Sequence, residues 1–363
     1  MDSETKIWLI LSFFLLVASY MQHCVYGKPE VPCFFIFGDS LSDVGNNNYL
    51  QTTSKANYEP YGVDFPKGPT GRYSNDRTGA NIISELMGFP NYIPPVLNTS
   101  GHDIMRGVNY ASGGSGILEE TGSHFGQHMS FGEQVANHRG IVSQIASIYI
   151  GLNKRGSFEL AKRYLSKCLY YVNFGTNDYE VNYFLPNSNT SDIYTPEEYA
   201  QILIDQYSLY LKQLRDVGAR KFVLNGLSPL GCTPNSILNG SCNERQNAAA
   251  NIFNDRLKDL VARSDFPKLF NDSKSIFVNI SAIFPTPTSG SGFANTTAPC
   301  CPTDEKGFCI PDQTPCRNRN DYVYWDGIHS SDVVNQLIAI NAYNGSNPNY
   351  TFPMDIKTLI QLG

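Results

Sequence analysis

Phe34-Phe35-Ile36-Phe37-Gly38-Asp39-Ser40-Leu41-Ser42-Asp43-Val44-Gly45-Asn46-Asn47-Asn48 begins apolar and turns polar within a residue or two. The run Cys33–Phe37 has the length and aromatic content of a buried parallel strand. It stops at Gly38-Asp39-Ser40, where a small residue, a carboxylate and a hydroxyl sit together at the strand's carboxyl end. Open α/β sheets place their ligands along that edge. A serine there, at the start of a following helix, is a candidate nucleophile, because helix amides stabilise negative charge beside it. It could equally be an ordinary N-cap, and the rest of the chain decides between the two.

The chain has 363 residues and is 41% hydrophobic, enough for one large domain or two modest ones. A formal net charge of −6 argues against nucleic acid, since no basic stripe could neutralise phosphates. Lys6 precedes the apolar run Ile7 to Val17, and Val25-Tyr26-Gly27 offers cleavage positions, so residues 1–27 read as a secretory signal peptide. That run is too short to span a membrane comfortably, and no other stretch is long and apolar enough. The mature protein, 28–363, is expected to be soluble and extracellular. N-x-S/T acceptors at Asn98, Asn189, Asn239, Asn271, Asn279, Asn295, Asn344 and Asn349 suggest N-glycans. Discounting Cys24, eight cysteines remain, an even number that reads as disulfides in a secreted chain. Cys232 and Cys242 bracket a short Pro/Asn/Gly loop and are expected to pair. Cys300, Cys301, Cys309 and Cys316 lie in a Pro-rich loop that crosslinks would have to hold.

Five segments read as strands: Cys33–Phe37, Val108–Ala111, Cys168–Phe174, Lys221–Asn225 and Ser275–Asn279. Helical patterns cover Ala80–Met87, Glu133–Ile150, Phe158–Leu165, Asn243–Ala262 and Ser331–Ala342. Thr195-Pro196-Glu197-Glu198 is a capping box opening another helix to about Asp216, which Gly218 ends. Alternating strands and helices indicate right-handed βαβ units in a parallel, three-layer α/β sheet. Without a composition break, one domain is expected, and the Pro/Gly-rich segment Tyr58–Tyr73 reads as a long loop near the site. If the first and third strands are neighbours, Cys33 and Cys168 face each other at the sheet's opposite edge, which predicts a Cys33–Cys168 disulfide.

Three polar or glycine-rich turns follow the first three strands. They are Gly38-Asp39-Ser40, then Asn109-Tyr110-Ala111-Ser112-Gly113-Gly114-Ser115-Gly116, then Gly175-Thr176-Asn177-Asp178. Acyl transfer needs a nucleophile and donors aimed at a developing oxyanion. The amides of Ser40 and of a glycine in the second turn, with the Asn177 side chain, could supply three. No Walker lysine and no G-x-G-x-x-G follows the first strand, which argues against phosphate cradling. A base stands near the carboxyl end in Trp325-Asp326-Gly327-Ile328-His329, where a carboxylate three residues before a histidine can hold its tautomer. His124 and His128 have helical metal-ligand spacing, but Gly126 between them favours a solvated loop. His102 and His138 stand in polar surroundings and read as surface residues. No G-x-S-x-G is present, so the nucleophile elbow of α/β-hydrolases is not the arrangement.

These blocks, in this order, resemble the GDSL, or SGNH, hydrolase family, in the form of the large plant GDSL esterase/lipases. Pro69-Thr70-Gly71-Arg72-Tyr73-Ser74-Asn75 and Leu227-Ser228-Pro229-Leu230-Gly231-Cys232 extend the likeness through nearly the whole mature chain. The resemblance implies a flavodoxin-like, three-layer α/β/α sandwich with a five-stranded parallel sheet. It implies Ser40 as nucleophile, His329 as general base, Asp326 as its orienter, and Ser40, Gly114 and Asn177 as oxyanion donors. Where the family usually has proline after the catalytic histidine, this chain has Ser330-Ser331. The implied activity is hydrolysis of acyl esters, lipid-like or small, through an acyl-enzyme and without metal or cofactor. Acyl transfer to another alcohol, or a non-catalytic wall glycoprotein on the same fold, are the alternatives.

Overall fold

The computed structural model describes residues 27–150, 156–186, 188–262, 272–285 and 292–362, with Trp8 and Ser12 before them. The expected signal segment therefore lies almost wholly outside the described residues, as does Asn271. Four strands pair in parallel in the order β1 (Phe34–Gly38), β2 (Leu169–Asn173), β3 (Lys221–Asn225) and β4 (Lys274–Val278). The expected five-stranded parallel sheet needs correction: the fifth strand, Thr351–Phe352, pairs antiparallel with β4.

The expected strand Val108–Ala111 forms only isolated bridges. It does run along the free edge of β1, with Ile36 donating to Val108 O, Tyr110 to Ile36 O and Ser112 to Gly38 O. On its other side it meets Pro94 and Pro95, and prolines have no N–H with which to extend a ladder.

Side chains alternate across the sheet, so each strand feeds two cores. Phe35, Phe37, Tyr170, Val172, Phe222 and Leu224 pack on one face. They meet α2 (Phe131–Ile150), α3 (Ser157–Leu165), α4 (Pro196–Asp216) and α5 (Glu244–Ala262). Phe34, Ile36, Tyr171, Val223, Ile276 and Val278 pack on the other. There they meet α1 (Gly79–Leu86), α6 (Asp332–Asn344) and α7 (Ile356–Gln361). Helix α4 starts at the capping box read from the sequence: Thr195 Oγ1 accepts from Glu198 N, and Glu198 Oε2 accepts from Thr195 N.

His138 corrects another expectation. It is fully buried in α2, its ring between Phe35, Phe37 and Tyr170, and its Nδ1 lies 2.9 Å from Tyr110 Oη. Burial pushes its pKa down to about 3, so it is neutral at any ordinary pH. Cys33 and Cys168 pair at the amino ends of β1 and β2, and Cys232 pairs with Cys242. In the Pro-rich loop, Cys300 pairs with Cys316 and Cys301 with Cys309. That loop is tied to a small second sheet of β5 (Asn295–Pro299) and β6 (Tyr322–Tyr324).

Candidate active site

Ser40 stands two residues beyond the end of β1, in a turn closed by Ser42 N and Asp43 N, both donating to Asp39 O. Gln134 of α2 brackets the strand end, donating to Gly38 O and accepting from Gly38 N. The Asp326–His329 turn follows directly on β6 and is closed by Trp325 N donating to His329 O at 2.8 Å. Asp326 Oδ1 accepts from the amides of Ile328 and His329 at 2.8 and 2.7 Å. Its Oδ2 lies 2.8 Å from His329 Nδ1, and His329 Nε2 lies 2.8 Å from Ser40 Oγ. Residues 289 apart in sequence are thus joined in one hydrogen-bonded line. Asp326 and His329 are almost wholly buried and Ser40 nearly so. The imidazole lies against the ring of Tyr73, with Phe308 stacked nearly parallel.

The two remaining expected residues lie on adjacent turns. Ser112 hydrogen-bonds to the end of β1, so the glycine turn runs beside Ser40, and the Asn177 turn leaves the neighbouring strand β2. Asn177 Nδ2 donates one hydrogen to Ser115 O at 2.9 Å, which leaves its second hydrogen for another acceptor. Of the two adjacent glycines, Gly113 spends its amide on Asp43 Oδ2 at 3.1 Å. The amides of Gly114 and Ser40 have no acceptor among the described residues. Gly114 takes a positive φ of 84°, and a Cβ on Gly113 would collide with the Tyr73 hydroxyl. Glycine thus suits both positions, Gly114 for its backbone angle and Gly113 for its lack of a side chain.

Three supporting residues escaped the sequence reading. Asp43 accepts from the amides of Gly45, Asn46 and Gly113, tying the serine turn to the glycine turn. Asp178 accepts from Ile117 N, Leu118 N and Thr121 Oγ1, tying the glycine turn to the Asn177 turn. Both lie inside quoted motifs, so their position was a usable signal. Tyr61 lies in the loop Tyr58–Tyr73 read as near the site, but nothing singled it out there: its hydroxyl donates to Asp326 Oδ2 at 2.6 Å and accepts from Cys309 N at 3.1 Å. Asp39, beside Ser40, has one oxygen bound by Leu41 N and the other without a partner among the described residues. Burial pushes its carboxyl up to about 7.

His124 and His128 sit around a short 3₁₀ turn, not on one face of a helix. Tyr61 and Tyr73 pack around the Asp326–His329 turn, while Tyr179 and Tyr183 turn into the core. A cavity of about 50 Å³ opens beside Ser40 and His329, lined also by Tyr171, Glu180, Phe284 and Tyr324.

Residues 34–341 match the family described as GDSL-like Lipase/Acylhydrolase. The chain belongs to this GDSL family. Two GDSL esterase/lipases of Arabidopsis thaliana are each 42% identical to it over the whole of both sequences. A third from the same plant is 41% identical over 97% of this chain and 99% of its own length. Every residue of the hydrogen-bonded line falls within the matched region, from Ser40 in the first strand's turn to His329. The GDSL chain is therefore similar to esterase/lipases throughout, not only in its motifs. Among its described residues, no helix is long and apolar enough to cross a membrane.

Proposed function

We propose that the protein is a secreted carboxylic ester hydrolase working through a Ser40–His329–Asp326 triad, as one SGNH catalytic domain over 28–363. The observation that carries this is the unbroken line Ser40 Oγ, His329 Nε2, His329 Nδ1, Asp326 Oδ2, each contact 2.8 Å, in a GDSL-family chain. In this reading Ser40 Oγ attacks the ester carbonyl carbon and passes its proton to His329 Nε2. The amides of Ser40 and Gly114 and the Asn177 side chain hold the oxyanion. The alcohol leaves with the proton from His329, giving an acyl-enzyme. Water, deprotonated by His329, then attacks the acyl carbon; the carboxylic acid leaves and the proton returns to Ser40. Asp326 stays ionised and fixes the imidazole tautomer.

Secretion and N-glycosylation are supported by the four disulfides and by acceptor residues on the surface. Asn98, Asn189, Asn239, Asn344 and Asn349 are exposed, and Asn279 and Asn295 half-buried.

The test is hydrolysis of p-nitrophenyl esters from acetate to palmitate by the wild type and by Ser40→Ala. Wild-type turnover should fall by about 10⁴-fold or more in the variant. Equal rates in a folded variant would exclude the triad. Product analysis with a competing alcohol separates hydrolysis from acyl transfer.

A further inference from the structure

Arg72 takes no part in the hydrogen-bonded line at Ser40. It is only 6% exposed, yet no carboxylate lies within ion-pair distance of it among the described residues. The acids whose charge it feels are committed elsewhere, Asp43 to backbone amides and Asp76 to Arg77 at 3.7 Å. Arg72 Nε donates to Asn81 Oδ1 at 2.7 Å, and Nη1 to Thr70 Oγ1 at 2.6 Å. Nη2 has no acceptor among the described residues and is not closed off from solvent. Phe65 and Tyr92 hold the guanidinium, 4.2 and 5.5 Å from their ring centroids. A buried charge is costly unless it is paired. A fixed guanidinium with N–H groups to spare, at the wall of a cavity, marks a place for an anion.

That cavity is a groove of about 850 Å³, and it shares no lining residue with the cavity beside Ser40. Its size is that of a site for a whole small molecule. Val44, Phe65, Phe89 and Ile93, all buried, also line it and suit an apolar body. Among the lining residues, Lys67 is the other cation and Glu85 the one carboxylate. With Glu85 on its wall, the groove favours a ligand with a single negative charge over a phosphate dianion. A carboxylate carries one charge, and a guanidinium binds carboxylates through paired N–H groups.

We infer that this groove is a second binding site, which takes an organic carboxylate with an apolar body, its carboxylate held by Arg72. The inference goes beyond the esterase reading and stands without it. Under that reading, the acid released by hydrolysis is itself a ligand of this class.

The test is binding, so it does not depend on turnover. Octanoate, octan-1-ol and octyl phosphate are titrated calorimetrically into the wild-type protein at pH 7. Octanoate should bind about tenfold or more tightly than the alcohol, as a charge-assisted hydrogen bond predicts. Arg72→Gln should bring that ratio to about one, and Arg72→Lys should leave it in between, with thermal melts verifying both folds. An octanoate analogue carrying a diazirine, irradiated on the wild type, locates the site even if neither variant folds. The label should fall on residues 85–95 of the groove. Equal binding of octanoate and the alcohol would overturn the inference, as would a preference that survives Arg72→Gln in a folded protein. Labelling confined to residues 280–284 and 324–330, around Ser40 and His329, would overturn it too. Tighter binding of octyl phosphate than of octanoate would overturn the assignment to a carboxylate. Ester cleavage is scored separately: binding at the groove in a protein that cleaves no ester would sink the esterase reading alone.

Discussion

Tyr61 donates to the same Asp326 oxygen that faces His329 Nδ1, and it is itself held by the Cys309 amide. It does not line the cavity beside Ser40. Its effect on chemistry would therefore pass through Asp326, which makes it a positioning residue. A hydrogen bond to a charged group is worth roughly 1.5–3 kcal/mol, and Asp326 retains two amide donors on its other oxygen. Tyr61→Phe should lower kcat by about tenfold and leave KM within about twofold, read from steady-state kinetics on one ester. A rise in KM with kcat unchanged would mean that Tyr61 shapes the substrate site instead. At this scale legibility was uneven for a physical reason. Asp326 and His329 lie on one turn, and Ser40 stands just beyond a strand's end, so local spacing pointed at them. Tyr61 lies 265 residues from its partner, in a loop read as near the site but with no period to single out one tyrosine, and only the folded chain pairs it with Asp326.

The glycine turn is the element on which the proposed oxyanion site depends, and it has no regular backbone ladder of its own. Asp43 clamps one end from the serine turn and Asp178 clamps the other from the Asn177 turn. Asp178→Ala would free the amides of Ile117 and Leu118 and the Thr121 hydroxyl at once, letting the turn drift from Ser40. A displacement near 1 Å at a reacting centre can cost on the order of 10²-fold. We expect a kcat loss of that size in Asp178→Ala, with phosphonate labelling of Ser40 slowed in parallel. Labelling at the wild-type rate would show that the turn holds its place without the clamp. The regular elements were easier to read than this turn. Amphipathic helices and apolar strands announce themselves by period, and α4 declared its start through Thr195 and Glu198. The sheet's antiparallel edge is two residues long, too short to have a period. His138 was misread because its neighbours Asn137 and Arg139 are polar. Yet Phe131, Val135, His138, Val142 and Ile145 recur at helical spacing and are all buried, a signal that was present.

Taken whole, the molecule separates what holds it together from what reacts. The Cys33–Cys168 bridge pins the amino ends of β1 and β2, while Ser40 and Asn177 lie beyond their carboxyl ends. Five strand residues separate the two edges, roughly 16 Å at about 3.3 Å per residue. The bridge closes a segment with a sequence separation of 135, and constraining an unfolded loop of that size is worth up to roughly 5 kcal/mol. The Cys301–Cys309 bridge spans only 8 residues, where the same reasoning gives about half as much. However, it holds the loop whose Cys309 amide reaches Tyr61 and through it Asp326. The two bridges should therefore dissociate stability from activity. Replacing both Cys33 and Cys168 by alanine should lower Tm by roughly 10 °C, on the usual conversion for a large domain, and leave kcat at 25 °C within about twofold. Replacing Cys301 and Cys309 should cost less in Tm and more in kcat. Melting curves and ester kinetics on the two double variants decide it. If both lose Tm and kcat in the same proportion, the sheet's far edge and its reactive edge are one cooperative unit, and the separation drawn from the geometry is wrong.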